Sequence, residues 1–130
     1  VSTIDDILAG ARAGLQRVDP SPALLDDPET LIVDIRPAHN RAAEGEIPGS
    51  VVIERIVLEW RLDPTGDHRI DGFDADTRAV VVCNEGYSSS LAARDLQAVG
   101  LARATDLVGG FRGWKAAGLP TRQGGTPPIT

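Results

Sequence analysis

A chain of 130 residues with 42% hydrophobic side chains is long enough to bury one core and too short for two domains. Its net charge of −6 opposes a phosphate backbone, which excludes nucleic acid as an expected partner, and no apolar run is long enough to cross a bilayer. The lone cysteine, Cys83, has no internal disulfide partner, and the acidic opening Val1-Ser2-Thr3-Ile4-Asp5-Asp6 is unlike a basic secretory start; both lead us to expect a cytoplasmic protein.

Ser2 or Thr3 can cap a helix over Ile4 to Ala13, with Asp5 and Asp6 in the first turn where the macrodipole favours them. Ile4, Ile7, Leu8 and Ala11 recur at helical spacing and predict one apolar face. A short strand is expected at Gln16 to Val18, halted by Pro20 and Pro22, and Ala23 to Leu25 gives at most one helical turn. Thr30 to Asp34 is an apolar run ending in a carboxylate, the pattern of a central parallel strand covered on both faces. A helix at Ala38 to Ala43 is broken by Gly45, a turn at Ile47 to Ser50 leads into a strand at Val51 to Ile53, and another short helix is expected at Ile56 to Leu62. Asp67 to Asp76 reads as a polar loop.

Ala79 to Val82 is the second strongly apolar strand, and it runs directly into Cys83. Ser89 to Val99 carries the clearest helical pattern, with Leu91, Ala92, Leu96 and Val99 on one face and Gly100 at the C-terminal cap. A last strand at Thr105 to Val108 precedes Gly109-Gly110 and a short helix near Trp114 to Ala117. Strands and helices alternating at this spacing predict a parallel sheet with helices on both faces. Residues 1–120 are expected to form one domain, and the Pro/Gly-rich segment 121–130 a loosely held tail.

Cys83 is the candidate nucleophile. It stands at the carboxyl end of a strand, where open α/β sheets bind ligands, and its loop runs into a helix whose first N–H groups lack internal partners. Such donors at the positive end of a helix lower a thiol's pKa and hold an anion against the sulfur. Gly86 permits the tight turn that aims several amides inward. A cysteine ending an apolar strand is also commonly plain core, and this pattern alone weighs the two readings evenly.

The segment Cys83-Asn84-Glu85-Gly86-Tyr87-Ser88-Ser89, with Ala92-Ala93 and Leu96, resembles the active-site loop and helix of the rhodanese family. Val33-Asp34-Ile35-Arg36, Gly45-Glu46-Ile47-Pro48-Gly49-Ser50, and Leu107 to Trp114 followed by Gly118-Leu119-Pro120 are similar to its other motifs, in the same order, over about Leu31 to Pro120. The resemblance implies a rhodanese-like α/β fold with a mostly parallel five-stranded sheet and helices on both faces. It also implies sulfur transfer through a persulfide on Cys83, from a small sulfur-containing anion or persulfide donor to a thiol acceptor. The substrate-binding residues implied are Asn84, Glu85, Gly86, Tyr87, Ser88 and Ser89, with Ser89 either a donor to the persulfide or a helix cap. Family members often carry a basic residue beside the cysteine or five residues after it; here those positions are Asn84 and Ser88, with Glu85 in the loop. Glu46 replaces the family's usual histidine at a position expected to be structural.

Asp34 and Arg36 are expected to form an ion pair supporting the loop. Tyr87 must either pack beneath the loop or shape its entrance. Trp114 and Trp60 are expected in the core or its rim, Trp60 alternatively walling the pocket. No cofactor or metal set is read: His39 and His68 lie in polar stretches, and Asp71, Asp74 and Asp76 lack the glycine and glutamate of a calcium loop. Phosphatases need an arginine six residues after the nucleophile, where this chain has Ser89, so phosphoryl transfer is disfavoured. A non-catalytic binding or regulatory module of the same fold is the main alternative to the enzyme.

Overall fold

The computed structural model describes residues 3–130, so Ser2 as a cap lies outside the described residues. Helix α1 (Ile4–Ala13) starts at Thr3, whose hydroxyl accepts from the Asp6 amide while the Asp6 carboxylate accepts from the Thr3 amide, a reciprocal cap. There follow α2 (Ala23–Asp26), β1 (Thr30–Asp34), α3 (Ala38–Glu44), β2 (Val51–Val52), a 3-10 turn at Arg55–Val57, α4 (Leu58–Arg61), β3 (Arg78–Val82), α5 (Ser88–Ala98), β4 (Thr105–Asp106) and α6 (Gly110–Ala116). The sheet is parallel throughout, in the order β2-β1-β3-β4.

Strand periodicity divides the core in two. Val33, Ala79 and Val81 face one side, where Ala92, Ala93 and Leu96 of α5 pack with Leu58, Leu62 and Leu101. Ile32, Val80 and Val82 face the other, against Phe111 and Trp114 of α6 with Leu24, Ile47 and Leu107. Both faces are therefore covered, which is why β1 and β3 read as unbroken apolar runs.

Three expectations are corrected. The sheet has four strands: Gln16 to Val18 contributes only a bridge from Val18 to Leu107, because Pro20 and Pro22 follow at once and break the ladder. The apolar face predicted for α1 is present: α1 packs on α5, Ala11 is buried and Leu8 half-buried, while Ile4 and Ile7 stay 65% and 42% exposed. Trp60 lies exposed on α4 and does not line the cysteine pocket, whereas Trp114 is fully buried.

The third concerns the tail. Arg122 pairs with Glu46 through both backbone hydrogen bonds, Ile129 forms a parallel bridge to Ile53, and Arg61 donates to the Thr130 carbonyl. Gly124 passes so close to the Arg41 carbonyl that no side chain fits there. At the centre, the buried Glu46 carboxylate accepts from Arg41 (2.8 Å), Arg122 (3.1 Å) and the Thr126 hydroxyl (2.6 Å). Segment 121–130 is thus tied down by long-range polar contacts that its composition does not announce.

Candidate active site

The carboxyl end of β3 delivers Cys83 to the floor of a pocket of about 220 Å³, lined by Ile35, Arg36, Pro37, Asn84, Glu85, Tyr87 and Ser88. The sulfur-bearing residue is nearly buried, at 7% exposure, yet its pocket opens to solvent. Gly86 N–H donates to Cys83 Sγ at 3.1 Å. Gly86 adopts φ +88°, and a Cβ there would sit 2.9 Å from the Gly109 amide nitrogen, so both backbone and space require glycine. Among the described residues, the amides of Asn84, Glu85, Tyr87 and Ser88 find no acceptor, and these four residues line the pocket. Unpaired donors around a sulfur form a cradle suited to an anion.

The loop is gripped from the α6 side. Phe111 and Arg112 amides donate to the Cys83 and Asn84 carbonyls at 2.9 and 3.1 Å. Gly110 allows that approach, since a Cβ on it would meet the Cys83 and Asn84 carbonyl oxygens at 2.6 and 2.7 Å. On the β1 side, the Arg36 guanidinium donates to Asp34 at 2.7 Å and to the Gly45 carbonyl at 2.7 Å, and lies 3.9 Å from the Phe111 ring centroid. Asp34 and Arg36 are both buried, and the expected ion pair is present beside the pocket.

Four residues behind the loop escaped the sequence reading. Arg12 donates to the Gly86 carbonyl at 2.6 Å and to the Ser90 hydroxyl at 3.0 Å; Arg17 donates to the same carbonyl at 2.9 Å. Arg17 also pairs with the buried Asp106 carboxylate at 2.8 Å, which accepts from the Ser89 and Ser90 hydroxyls at 2.7 and 2.8 Å. The arginines reach partners 69 to 89 positions away, and Asp106 reaches Ser89 and Ser90 across 17 and 16, so no local motif marks them. The one available signal was Asp106, a carboxylate in the middle of the predicted last strand.

Ser89 is therefore not a helix cap: α5 begins after Tyr87 with no side-chain cap. Tyr87 is 60% exposed at the pocket rim, with the Arg12 guanidinium 5.6 Å from its ring centroid, which places it at the entrance and not beneath the loop. Glu85 points its carboxylate to Arg112 at 3.0 Å. His39 and His68 are exposed and do not line the pocket.

Burial alone would raise the Cys83 pKa. Hydrogen bonds from the Ser89 hydroxyl and amide, the Gly86 amide and the Ser88 hydroxyl outweigh it, and the thiol titrates below its ordinary value. The Ser89 hydroxyl has a single proton, and the Asp106 carboxylate 2.7 Å away competes for it. The amides face no such competitor, so they are the dependable part of this stabilisation.

A larger cleft, of about 460 Å³, opens near the opposite ends of β3 and β4, lined in part by Arg17, Arg78 and Arg103. It contains no cysteine, and its arginines pair with Asp106, Asp27 and Glu29. Cys83 lies in the smaller pocket.

The rhodanese-like domain family model matches residues 22–117. A protein of unknown function from Rhodopseudomonas palustris CGA009, described as a possible tyrosine phosphatase, is similar in structure at 30% identity and TM-score 0.83, over 93% of this chain and 95% of that one. A thiosulfate sulfurtransferase from Pseudomonas aeruginosa is similar at 27% identity and TM-score 0.68, over 86% of this chain but only 20% of that one. The polysulfide-sulfur transferase homodimer from Wolinella succinogenes shares the fold at 23% identity and TM-score 0.70, over 88% of this chain and 83% of that one. A search of curated proteins found no match. The family match takes in the pocket and its loop together with the α6 segment that grips them, and this chain belongs to the rhodanese-like domain family.

Proposed function

We propose that this protein is a rhodanese-type sulfurtransferase that carries a sulfane sulfur on Cys83. The observation that supports this most is the Cys83 sulfur itself, held at 3.1 Å by the Gly86 amide on the floor of an open pocket lined by loop residues whose amides have no acceptor among the described residues. In the first half-reaction the Cys83 thiolate attacks the outer sulfur of a donor, a small sulfur-containing anion or a persulfide. A Cys83–sulfur bond forms, the bond holding that sulfur to the donor breaks (sulfur–sulfur in thiosulfate or a persulfide, carbon–sulfur in mercaptopyruvate), and its electron pair leaves with the donor remainder, as sulfite, a thiolate or the enolate of pyruvate. In the second, an acceptor thiolate attacks the outer sulfur of the persulfide, and the Cys83 thiolate departs. The loop amides stabilise the negative charge at each stage, as an oxyanion hole does.

Phosphoryl transfer is poorly served by this site. The sixth residue after Cys83 is Ser89, whose hydroxyl is given to Asp106, and the arginine that lines the pocket, Arg36, is held by Asp34. Arg36 Nη1 has no partner among the described residues, but it is buried, and one nitrogen alone does not make the bidentate clamp a transferred phosphoryl group needs.

Incubation with thiosulfate, mercaptopyruvate or a low-molecular-weight persulfide is expected to add the mass of one sulfur atom to the intact protein, reversibly by thiol. Cys83→Ala should gain nothing. If no donor leaves an adduct on the parent protein, the binding-module reading replaces this one.

Glu85 bears on the choice of donor. It is exposed and lines the pocket, and its negative charge is only partly offset by Arg112. Glu85→Gln is expected to raise kcat/KM for thiosulfate by roughly threefold, mainly through KM, with little change for a neutral donor. Equal effects on both donors would show that the charge does not discriminate.

A further inference from the structure

Arg12 and Arg17 precede the family-matched residues 22–117, yet both guanidinium groups converge on one backbone atom of the Cys83 loop, the Gly86 carbonyl oxygen. We propose that the segment comprising α1 and the Val18 bridge is part of the sulfur-transfer site: Arg12 and Arg17 are positioning residues that fix the 86–87 peptide and supply, from behind, the positive charge the loop lacks. The inference deepens the sulfurtransferase reading and rests on it for the identity of the substrate.

The charges around the sulfur can be taken in turn. In front, Arg112 is shared between Glu85 and Glu44, which leaves that cluster negative, and beside the pocket Asp34 is paired with Arg36 in a pair close to neutral. Behind the loop there are two guanidinium groups and one carboxylate, Asp106, which leaves a net charge of about +1. The loop itself, Asn84 to Ser88, contains no basic residue. Arg12 and Arg17 are thus the only source of net positive charge among these groups.

The peptide geometry explains how that charge is passed on. There are no cis peptide bonds among the described residues, so the Tyr87 N–H points away from the Gly86 C=O of the same peptide plane. With the carbonyl turned back to two arginines at 2.6 and 2.9 Å, the Tyr87 amide is presented on the opposite edge, where it has no protein acceptor among the described residues. Two charge-assisted hydrogen bonds on the carbonyl polarise the amide and strengthen it as a donor. The same contacts restrain Gly86, whose own N–H holds the sulfur.

Asp106 orders this support. It takes the Nε and Nη2 edge of Arg17 and the hydroxyls of Ser89 and Ser90, and Ser90 in turn accepts from Arg12 Nε. Removing Arg17 alone would strand a buried carboxylate, so the cleaner variants are Arg12→Gln and the paired change Arg17→Gln/Asp106→Asn.

The test measures alkylation of Cys83 by neutral iodoacetamide and anionic iodoacetate as a function of pH, which does not depend on sulfur transfer. Arg12→Gln is expected to move the iodoacetamide profile to higher pH and to slow alkylation at pH 7 by roughly three- to tenfold. It should also lower the preference for iodoacetate, with Arg12→Lys restoring most of both effects. The paired variant, which leaves the net charge unchanged, should move the iodoacetamide profile in the same direction through loss of the Gly86 carbonyl contact and leave the reagent preference near that of the parent. A lower melting temperature with an unmoved profile in Arg12→Gln and the paired variant alike, and an unmoved reagent preference in Arg12→Gln, would reduce both arginines to scaffolding and overturn the proposal. A shifted profile in a protein that accepts no sulfur from any donor would uphold the arginine role while removing the sulfurtransferase reading.

Discussion

Gly86→Ala is expected to lower the rate of persulfide formation on Cys83 by about a hundredfold and to destabilise the fold by about 2–3 kcal/mol. Two independent constraints act on this residue. Its φ of +88° is strained for any residue with a Cβ, and the added carbon would lie 2.9 Å from the Gly109 amide nitrogen and 3.1 Å from the Leu107 carbonyl oxygen. Neither neighbour is a flexible side-chain tip. Both belong to the backbone leading into α6, which also grips the Cys83 and Asn84 carbonyls. Relief must therefore come from the 83–86 loop itself. Any such shift moves the Gly86 amide off the sulfur and its carbonyl off Arg12 and Arg17. Sulfur-transfer kinetics and urea unfolding should both register the change. Near-parent transfer rates would mean that the loop amides contribute little to the chemistry.

Glu46→Ala should have the largest effect on stability, a loss of about 3–5 kcal/mol with the site chemistry intact in whatever fraction folds. The carboxylate is fully buried, and Arg41, buried with it, would be left with an uncompensated charge. The Thr126 and Arg122 contacts that hold the tail go at the same time. The pH dependence follows from the same group. Burial opposes ionisation of Glu46, but hydrogen bonds from Thr126, Arg41 and Arg122 prevail and lower its pKa from 4.5 to about 2. A carboxylate with a depressed folded pKa contributes its stability above the unfolded value and loses it as pH falls through the folded one. About 3 kcal/mol should therefore disappear between pH about 4.5 and about 2 in the parent protein. Glu46→Gln, already without the charge, should lack that component, so the gap in unfolding free energy between parent and variant should narrow on acidification. A gap independent of pH would show that the carboxylate's charge is not what stabilises this network.

How much of this was legible in the amino-acid order depends on distance along the chain. Cys83 could be found because everything that marks it is local: the apolar run Ala79 to Val82, the glycine three residues on, and the helix that follows. Asp34 and Arg36 are two residues apart, and their ion pair was equally readable. Arg12 and Arg17 were not, since a guanidinium that crosses some seventy residues to a backbone carbonyl leaves no periodicity behind. The stripe on α1 shows a different limit. Spacing reveals that a helix has an apolar face, but not that another element covers it, and Ile4 and Ile7 remain largely open. The tail was misjudged for a related reason: proline and glycine predict few regular hydrogen bonds, while Arg122, Thr126 and Ile129 are fastened by partners elsewhere in the fold.

The two single-residue bridges have a consequence for assembly. Val18 takes the outward-facing groups beside β4, accepting from the Val108 amide and donating to the Asp106 carbonyl. Ile129 does the same beside β2, donating to the Val52 carbonyl and accepting from the Glu54 amide. A parallel sheet of four strands would ordinarily offer two raw margins for a foreign strand to extend. Here each margin is stoppered by a short stretch of the chain's own ends, which disfavours joining a second copy or a partner by sheet extension and leaves helix faces and loops as the surfaces available for contact.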